Sequence, residues 1–302
     1  MKVGNGGPAG TGWQMENTPS LTARNVALLR AAHQLLEGGA IFADPLAVPI
    51  CGENVDEISR FIRAHPEFAR LRLFVARSRF AEQCLARAVD RGVRQVLVLG
   101  AGLDTFGLRN PYADKGVCVI EVDRPETQQW KRECIEKAKL QIPSWLRLVP
   151  VDFEQQVLLE RLNSVGFKED QAAFFTWLGV IPYLSRDAVL ATLCVIARLP
   201  DAEVVFEYGR PAAAYPPDRR AGYEAMFARA AALGEPWLSF FNPDELANEL
   251  SRLRFHEVED LSPRDVAIGY FGEPNPVQNV PGAHFVRGCR QVRSWEDRYR
   301  TS

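Results

Sequence analysis

Long apolar runs, paired cysteines, clustered histidines and an excess of either charge are all missing from this sequence. Without an unbroken apolar stretch of about 18 residues, no membrane-spanning helix is expected. The opening MKVGNGGPAGTGWQ lacks the apolar centre of a secretory signal and is dense in glycine. Residues 1–15 are therefore expected to form a flexible tail, and the protein to be cytoplasmic. The six cysteines (Cys51, Cys84, Cys118, Cys134, Cys194, Cys289) form no CxxC pair. Cys84, Cys118 and Cys194 fall inside apolar patterns and read as free core thiols. His33, His65, His256 and His284 are scattered, so no protein-bound metal is expected. With 36 basic and 38 acidic residues the net charge is -2. No strong field is available to hold nucleic acid or an anionic membrane.

What is present is the composition of an ordinary globular chain: 302 residues, 47% hydrophobic and 25% charged. SLTARNVALLRAAHQLLEGG (20–39) carries a helical stripe of Val26, Leu29, Ala32 and Leu36, with Ser20 or Thr22 as cap and a glycine pair at its end. DPLAVPICG follows, broken by two prolines, and a second helix is predicted over 54–64. A third spans 71–92, where Phe80, Cys84 and Ala88 recur at four-residue spacing before Gly92. Strands and helices then alternate. Strands are predicted at 95–100, 117–122, 147–152, 172–178 and 202–208, with helices near 125–139, 154–165 and 185–198. That alternation argues for a parallel sheet with helices on both faces. After Tyr208 a proline-marked segment leads into a helix rich in alanine and aromatics, a candidate lid. NPDELANELSRL, capped by Asn242, and two closing strands, FHEVEDL and AHFVRGCRQV, complete the chain.

RQVLVLGAGLDTFGLR, followed by VCVIEVD, carries the chemistry. Gly100, Ala101 and Gly102 end the first strand, where a backbone without Cβ atoms lets a ligand approach. Asp123 follows the second strand, where a carboxylate accepts two hydrogen bonds from a ribose diol. Nicotinamide cofactors and S-adenosyl-L-methionine both use these two features. The dinucleotide fingerprint G-x-G-x-x-G, however, has Thr105 at its third glycine here. Asp104 would also repel a pyrophosphate while tolerating a cationic sulfonium, so the loop favours S-adenosyl-L-methionine. Asp104 followed by Thr105 also suits a plain helix start.

RSRF…GVRQVLVLGAGLDTFGLR…VIEVDRPE resembles the leucine carboxyl methyltransferase family, and most closely its bacterial branch of polyketide O-methyltransferases. TPSLTARNVALLRAAHQLLEGGAIFADPLA and FFTWLGVIPYLSRDAV resemble the same branch, so the likeness spans most of 18–210. It implies a Rossmann-like class I methyltransferase fold, α/β, with a seven-stranded mostly parallel sheet whose last strand is antiparallel. A helical N-terminal extension and a helical lid insertion after strand five complete the expected fold. The expected organisation is one methyltransferase domain over 16–302: helical cap 16–92, cofactor-binding core 93–210, lid 211–241, and C-terminal helix and strands 242–302. The resemblance places Arg77, with Arg79 as neighbouring candidate, on the methionine carboxylate, and Gly100 against the cofactor. It places Asp123 on the ribose, and Asp152 and Phe153 around the adenine. Ala101, Gly102, Asp104, Arg124 and Trp177 complete the expected cofactor contacts. The chain departs from several members in having Trp177-Leu178 where they have glutamate after strand four, and Leu21 where the branch often has arginine.

The implied reaction is in-line methyl transfer to a carboxylate or hydroxyl of a small aromatic or polyketide-like acceptor, leaving S-adenosyl-L-homocysteine. The leaving thioether is neutral, so positioning and water exclusion carry most of the catalysis. Tyr183 and Tyr208 are expected to position the acceptor. Tyr183, Glu207, Arg210, Tyr223, Trp237 and Phe240 are expected to line its pocket. The partner is a small molecule, and the protein a monomer or homodimer. Three alternatives stay open: an NAD(P)-binding oxidoreductase, a non-catalytic binder of a nucleotide cofactor, and a protein C-terminal carboxyl methyltransferase.

Overall fold

Leu28, Ala31 and Ala32 share one side of helix α1 (Leu21–Glu37) and close it over Ala47 of α2 (Ala47–Cys51) and Ile58 of α3 (Val55–Ala64). The computed structural model describes residues 21–64, 72–151, 158–232, 234–273 and 282–290. Helix α2 forms where the two prolines predict a break. Pro49 is its third residue, and a first-turn N–H has no intrahelical acceptor to lose. Helix α4 (Arg72–Asp90) buries Phe80, Cys84 and Ala88 along with Ala81, Leu85 and Val89, as their spacing predicts.

The sheet strands are β1 (Gln95–Leu99), β2 (Cys118–Asp123), β3 (Leu146–Pro150), β4 (Ala173–Trp177), β5 (Glu203–Tyr208), β6 (Glu257–Leu261) and β7 (His284–Cys289). Their spatial order is β3-β2-β1-β4-β5-β7-β6. The β3, β2, β1, β4 and β5 pairings are parallel, and β7 runs antiparallel to both β5 and β6. This is the Rossmann-like class I methyltransferase sheet. Strand order reverses at β1, which lies between β2 and β4, and a crevice opens at such a switch point.

Alternate residues of each strand feed two cores. Leu97, Leu99, Val122, Phe175, Trp177 and Phe206 pack against α7 (Leu158–Asn163), α8 (Arg186–Ala197) and α10 (Pro243–Arg252). Val96, Val98, Val119, Phe174, Val205 and Phe285 pack against α4, α6 (Pro125–Lys137) and α11 (Pro263–Phe271). Helix α11 is an addition to the predicted elements. Ser262 and Asp265 form a reciprocal capping box at its start, and Gly272 closes it with a left-handed φ of 67°. A four-residue helix, α5 (Phe106–Arg109), follows β1, and α9 (Pro217–Ala232) follows β5. No described helix is long and apolar enough to cross a membrane.

Candidate functional site

The loop after β1 is turned by two glycines in left-handed conformation, Gly100 (φ 67°) and Gly102 (φ 48°). Gly100 and Ala101 both donate to Val122 O, at 2.7 and 3.1 Å, which ties the loop to β2. A Cβ on Gly100 would lie 2.1 Å from Val180 Cγ2, and one on Gly102 would lie 3.1 Å from Ala23 Cβ. The loop is thus pressed between the segment after β4 and the start of α1. Sequence reasoning missed both neighbours, because each contact joins residues far apart in the chain.

Asp123 is the last residue of β2. Its Oδ2 accepts the Gly102 N–H at 2.6 Å and its Oδ1 accepts the Arg124 N–H at 2.8 Å. Burial pushes its carboxyl up from the ordinary aspartate range, and those two N–H bonds offset only part of the rise. Each oxygen retains a lone pair beyond the backbone bond it accepts.

Beneath the loop lies an ionic network. Asp104 Oδ1 accepts the Phe106 N–H at 2.7 Å, and its Oδ2 faces Arg30 Nη1 at 3.3 Å. Burial opposes ionisation there, yet Arg30, Lys131 and the Phe106 N–H hold the Asp104 carboxyl below its usual value. Asp104 therefore caps a turn and anchors α1. Thr105 Oγ1 donates to Asp44 at 2.8 Å, and Arg109 stands 3.3 Å from the same carboxylate. Lys131 pairs with Glu121 of β2 and donates to Asp104 O at 2.6 Å. Burial raises the Glu121 carboxyl, partly countered by Lys131.

Across the crevice, Arg77 of α4 pairs with Glu207 of β5. Glu207 Oε1 also accepts the Gly179 N–H at 2.9 Å. Burial raises the Glu207 carboxyl despite Arg77. Two residues expected to serve separate ligands are thereby brought together. Gly179, left-handed at φ 75°, completes the set. A glycine directly after a buried strand was the available signal for it.

The remaining wall is aromatic. Tyr215 stacks on Tyr223 at 3.7 Å between centroids, and Phe227 packs on Trp237 at 5.1 Å and on Phe240 at 4.7 Å. Leu238 N–H and Ser239 Oγ donate to Pro182 O and Ile181 O, joining this tract to the segment after β4. Thr22 Oγ1 bridges Glu235 and the Tyr183 hydroxyl, the latter at 3.1 Å. Burial raises the Tyr183 phenol, with the Thr22 bond acting against it. Arg210 lies over Tyr215 at 5.7 Å and donates to Ala214 O at 3.3 Å.

Three expected site residues take other places. Arg79 is two positions from Arg77 and so on another side of α4. It is exposed and donates to Ile41 O at 2.6 Å. Trp177 points into the core at 0% exposure. Tyr208 is also fully buried, stacks on His284 at 4.9 Å and donates its hydroxyl to Asp260 at 2.7 Å. Burial and Asp260 both push that phenol up, so it neither loses its proton nor reaches an acceptor. Asp152 and Phe153, expected at the adenine, lie outside the described residues. Among the described residues, no three His, Cys, Asp or Glu side chains gather as a metal ion would need.

A model of the leucine carboxyl methyltransferase family matches residues 23–197. The chain belongs to the leucine carboxyl methyltransferase family. YktD of Bacillus subtilis, named provisionally as an S-adenosyl-L-methionine-dependent methyltransferase, is 32% identical over 282 residues, 85% of this chain and 92% of YktD. A Mycobacterium avium protein named in the same way is 30% identical over 191 residues, 58% of this chain and 60% of its own length. Among solved structures, a DUF574 family protein from Streptomyces avermitilis is 14% identical, covers 87% of this chain and 97% of that chain, and superposes with a TM-score of 0.49. The leucine carboxyl methyltransferase match includes Arg77, the glycine loop, Asp123 and Gly179. Glu207 and the aromatic tract lie beyond it.

Proposed function

We propose that this chain is an S-adenosyl-L-methionine-dependent O-methyltransferase acting on a small apolar or aromatic acceptor. The observation that carries the reading is the Gly102 N–H to Asp123 bond, which sets a tight glycine turn beside a half-buried carboxylate at the sheet's switch point. The residues present fit the cofactor. Gly100 and Gly102 permit the left-handed turn that brings the loop to Asp123, Asp123 keeps acceptor capacity for two ribose hydroxyls, and Arg77 offers a guanidinium to a carboxylate. Family membership and the names of the relatives support the S-adenosyl-L-methionine-dependent methyltransferase part of this reading.

Bound S-adenosyl-L-methionine supplies a methyl group on a sulfonium. Asp123 would hold the ribose hydroxyls through the lone pairs its two backbone bonds leave over. Trp237, Phe240 and Tyr223 offer apolar area at low rotamer cost, suited to a flat acceptor and to excluding water. Tyr183 directs its phenol proton at Thr22 Oγ1, whose own proton goes to Glu235, so it offers the pocket its ring face and a held orientation. A carboxylate acceptor needs no proton removed at neutral pH. The domain organisation above, with 211–241 as a lid over the acceptor, belongs to this proposal, as does the absence of a resident metal.

Calorimetric titration with S-adenosyl-L-methionine and S-adenosyl-L-homocysteine, with NAD and NADP in parallel, tests it. Both adenosyl ligands should bind, and Asp123→Ala should weaken them about a hundredfold, as expected for two hydrogen bonds to a charged group. NAD(P) binding without heat from the adenosyl ligands would overturn the reading. Labelled-methyl transfer to a peptide terminus but to no small acceptor would overturn its acceptor half.

A further inference from the structure

Arg77 and Glu207 are 6% and 5% exposed, and they meet at the carboxyl edge of the sheet from elements 130 residues apart. Glu207 Oε1 takes both the guanidinium and the Gly179 N–H. Its other oxygen, Oε2, is sealed from solvent and has no hydrogen-bond partner among the described residues. A buried carboxylate oxygen without a donor is costly, and such an orphan in a site points to a donor that arrives with a ligand. Gly179 makes the arrangement possible, since a Cβ there would lie 3.1 Å from Arg77 Nη2.

Charge counting narrows the ligand. The buried pair is neutral as it stands. A ligand carboxylate brought to Arg77 alone would put two anions on one buried guanidinium. An ammonium brought to Glu207 alone would leave a net buried cation. A ligand carrying one of each keeps the set neutral and gives Oε2 its donor. We propose that Glu207 Oε2 receives the α-ammonium of the cofactor's amino-acid end, so that Arg77 and Glu207 together recognise a zwitterion. This rests on the cofactor reading above and adds a specificity-determining residue to it. The same pair disfavours a pyrophosphate, which brings negative charge and no ammonium.

Four ligands with neutral sulfur separate the contributions: S-adenosyl-L-homocysteine, its decarboxylated analogue (ammonium only), its deaminated analogue (carboxylate only) and 5′-methylthioadenosine (neither). Each is titrated calorimetrically into the full chain and into Glu207→Gln. The variant should weaken S-adenosyl-L-homocysteine and the ammonium-only ligand by about tenfold or more, as for one charge-assisted hydrogen bond. It should leave 5′-methylthioadenosine within about twofold, which doubles as proof that the variant is folded. The carboxylate-only ligand should bind the variant at least as well, because a repelling anion is gone. The wild-type series stands without any variant: the zwitterion should exceed the sum of the gains from ammonium alone and carboxylate alone.

Loss confined to the two carboxylate-bearing ligands would overturn the proposal and reduce Glu207 to a residue that orients Arg77. Binding of all four ligands with no response to Glu207→Gln would overturn it as well, while leaving the cofactor reading intact. A wild type that binds none of the four takes both down.

Discussion

Asp123 behaves differently towards protons and towards ligand. Its raised pKa means that it protonates at a higher pH than an ordinary aspartate. A protonated carboxyl loses acceptor capacity, so affinity for an adenosyl ligand should fall as pH falls through that raised value. The stability sign is opposite. A carboxyl whose folded pKa lies above its unfolded one contributes stability at low pH that is lost as pH rises through the folded pKa. Weakened binding on acidification should therefore not be accompanied by a stability loss from this group. Titrating 5′-methylthioadenosine across pH removes the contribution of Glu207, since that ligand lacks the end that meets it. Asp123→Asn should flatten the profile, and an unchanged slope would assign the proton elsewhere.

Lys131 shows what a sequence hides at this scale. In PETQQWKRECIEK it reads as one cation on a solvated helix, yet it is 1% exposed. The available signal, which sequence reasoning missed, was Glu121, an acid inside the apolar VCVIEV, which demands a buried partner. Lys131→Met leaves Glu121 buried without its cation and should cost about 3–5 kcal/mol. Adding Glu121→Gln should return much of that loss. Urea unfolding of the two single variants and the double variant measures the cycle. Additive losses would mean that the pair does not couple.

Elements were more legible than side chains. The seven strands and α1, α3, α4, α6, α8 and α10 fall where periodicity and turn residues put them, with ends shifted by one or a few residues. Missed helix α11 carries Pro263 at its first position, a Ser262–Asp265 box and a closing glycine, all readable signals in a short stretch. Helix α2 was hidden by treating every proline as a break. The glycine loop and Asp123 were readable because their spacing is local. The meeting of α1, the segment after β4 and the aromatic tract was not, because Thr22 and Glu235 stand 213 residues apart. Thr22 joins those three pieces through Glu235 and Tyr183. Thr22→Val should speed limited proteolysis within α9 by roughly tenfold, as for one lost hydrogen bond to a carboxylate. Affinity for 5′-methylthioadenosine should barely change. Unchanged proteolysis would show that the bridge holds nothing shut.

At the scale of the molecule, alternation of strands and helices announced the parallel sheet, while the antiparallel final strand came from family likeness. Strand order explains why composition could not supply it. β7 (284–289) lies between β5 and β6, so among the described residues β6 has no sheet neighbour except β7. On a ribosome emitting the chain from its N-terminus, β1 to β5 can pair in turn, but β5 presents an open edge until β7 emerges. β6 must wait without the strand it pairs with, and α11 with Val266 and Ala267 uncovered. Nascent chains arrested with β7 still inside the exit tunnel should yield to protease after β5, and those extended past it should resist. Equal resistance at both lengths would mean that β6 finds its place without β7. For this protein, then, the moment of greatest exposure to misassembly comes between the emergence of β5 and that of β7, when most of the sheet is already built.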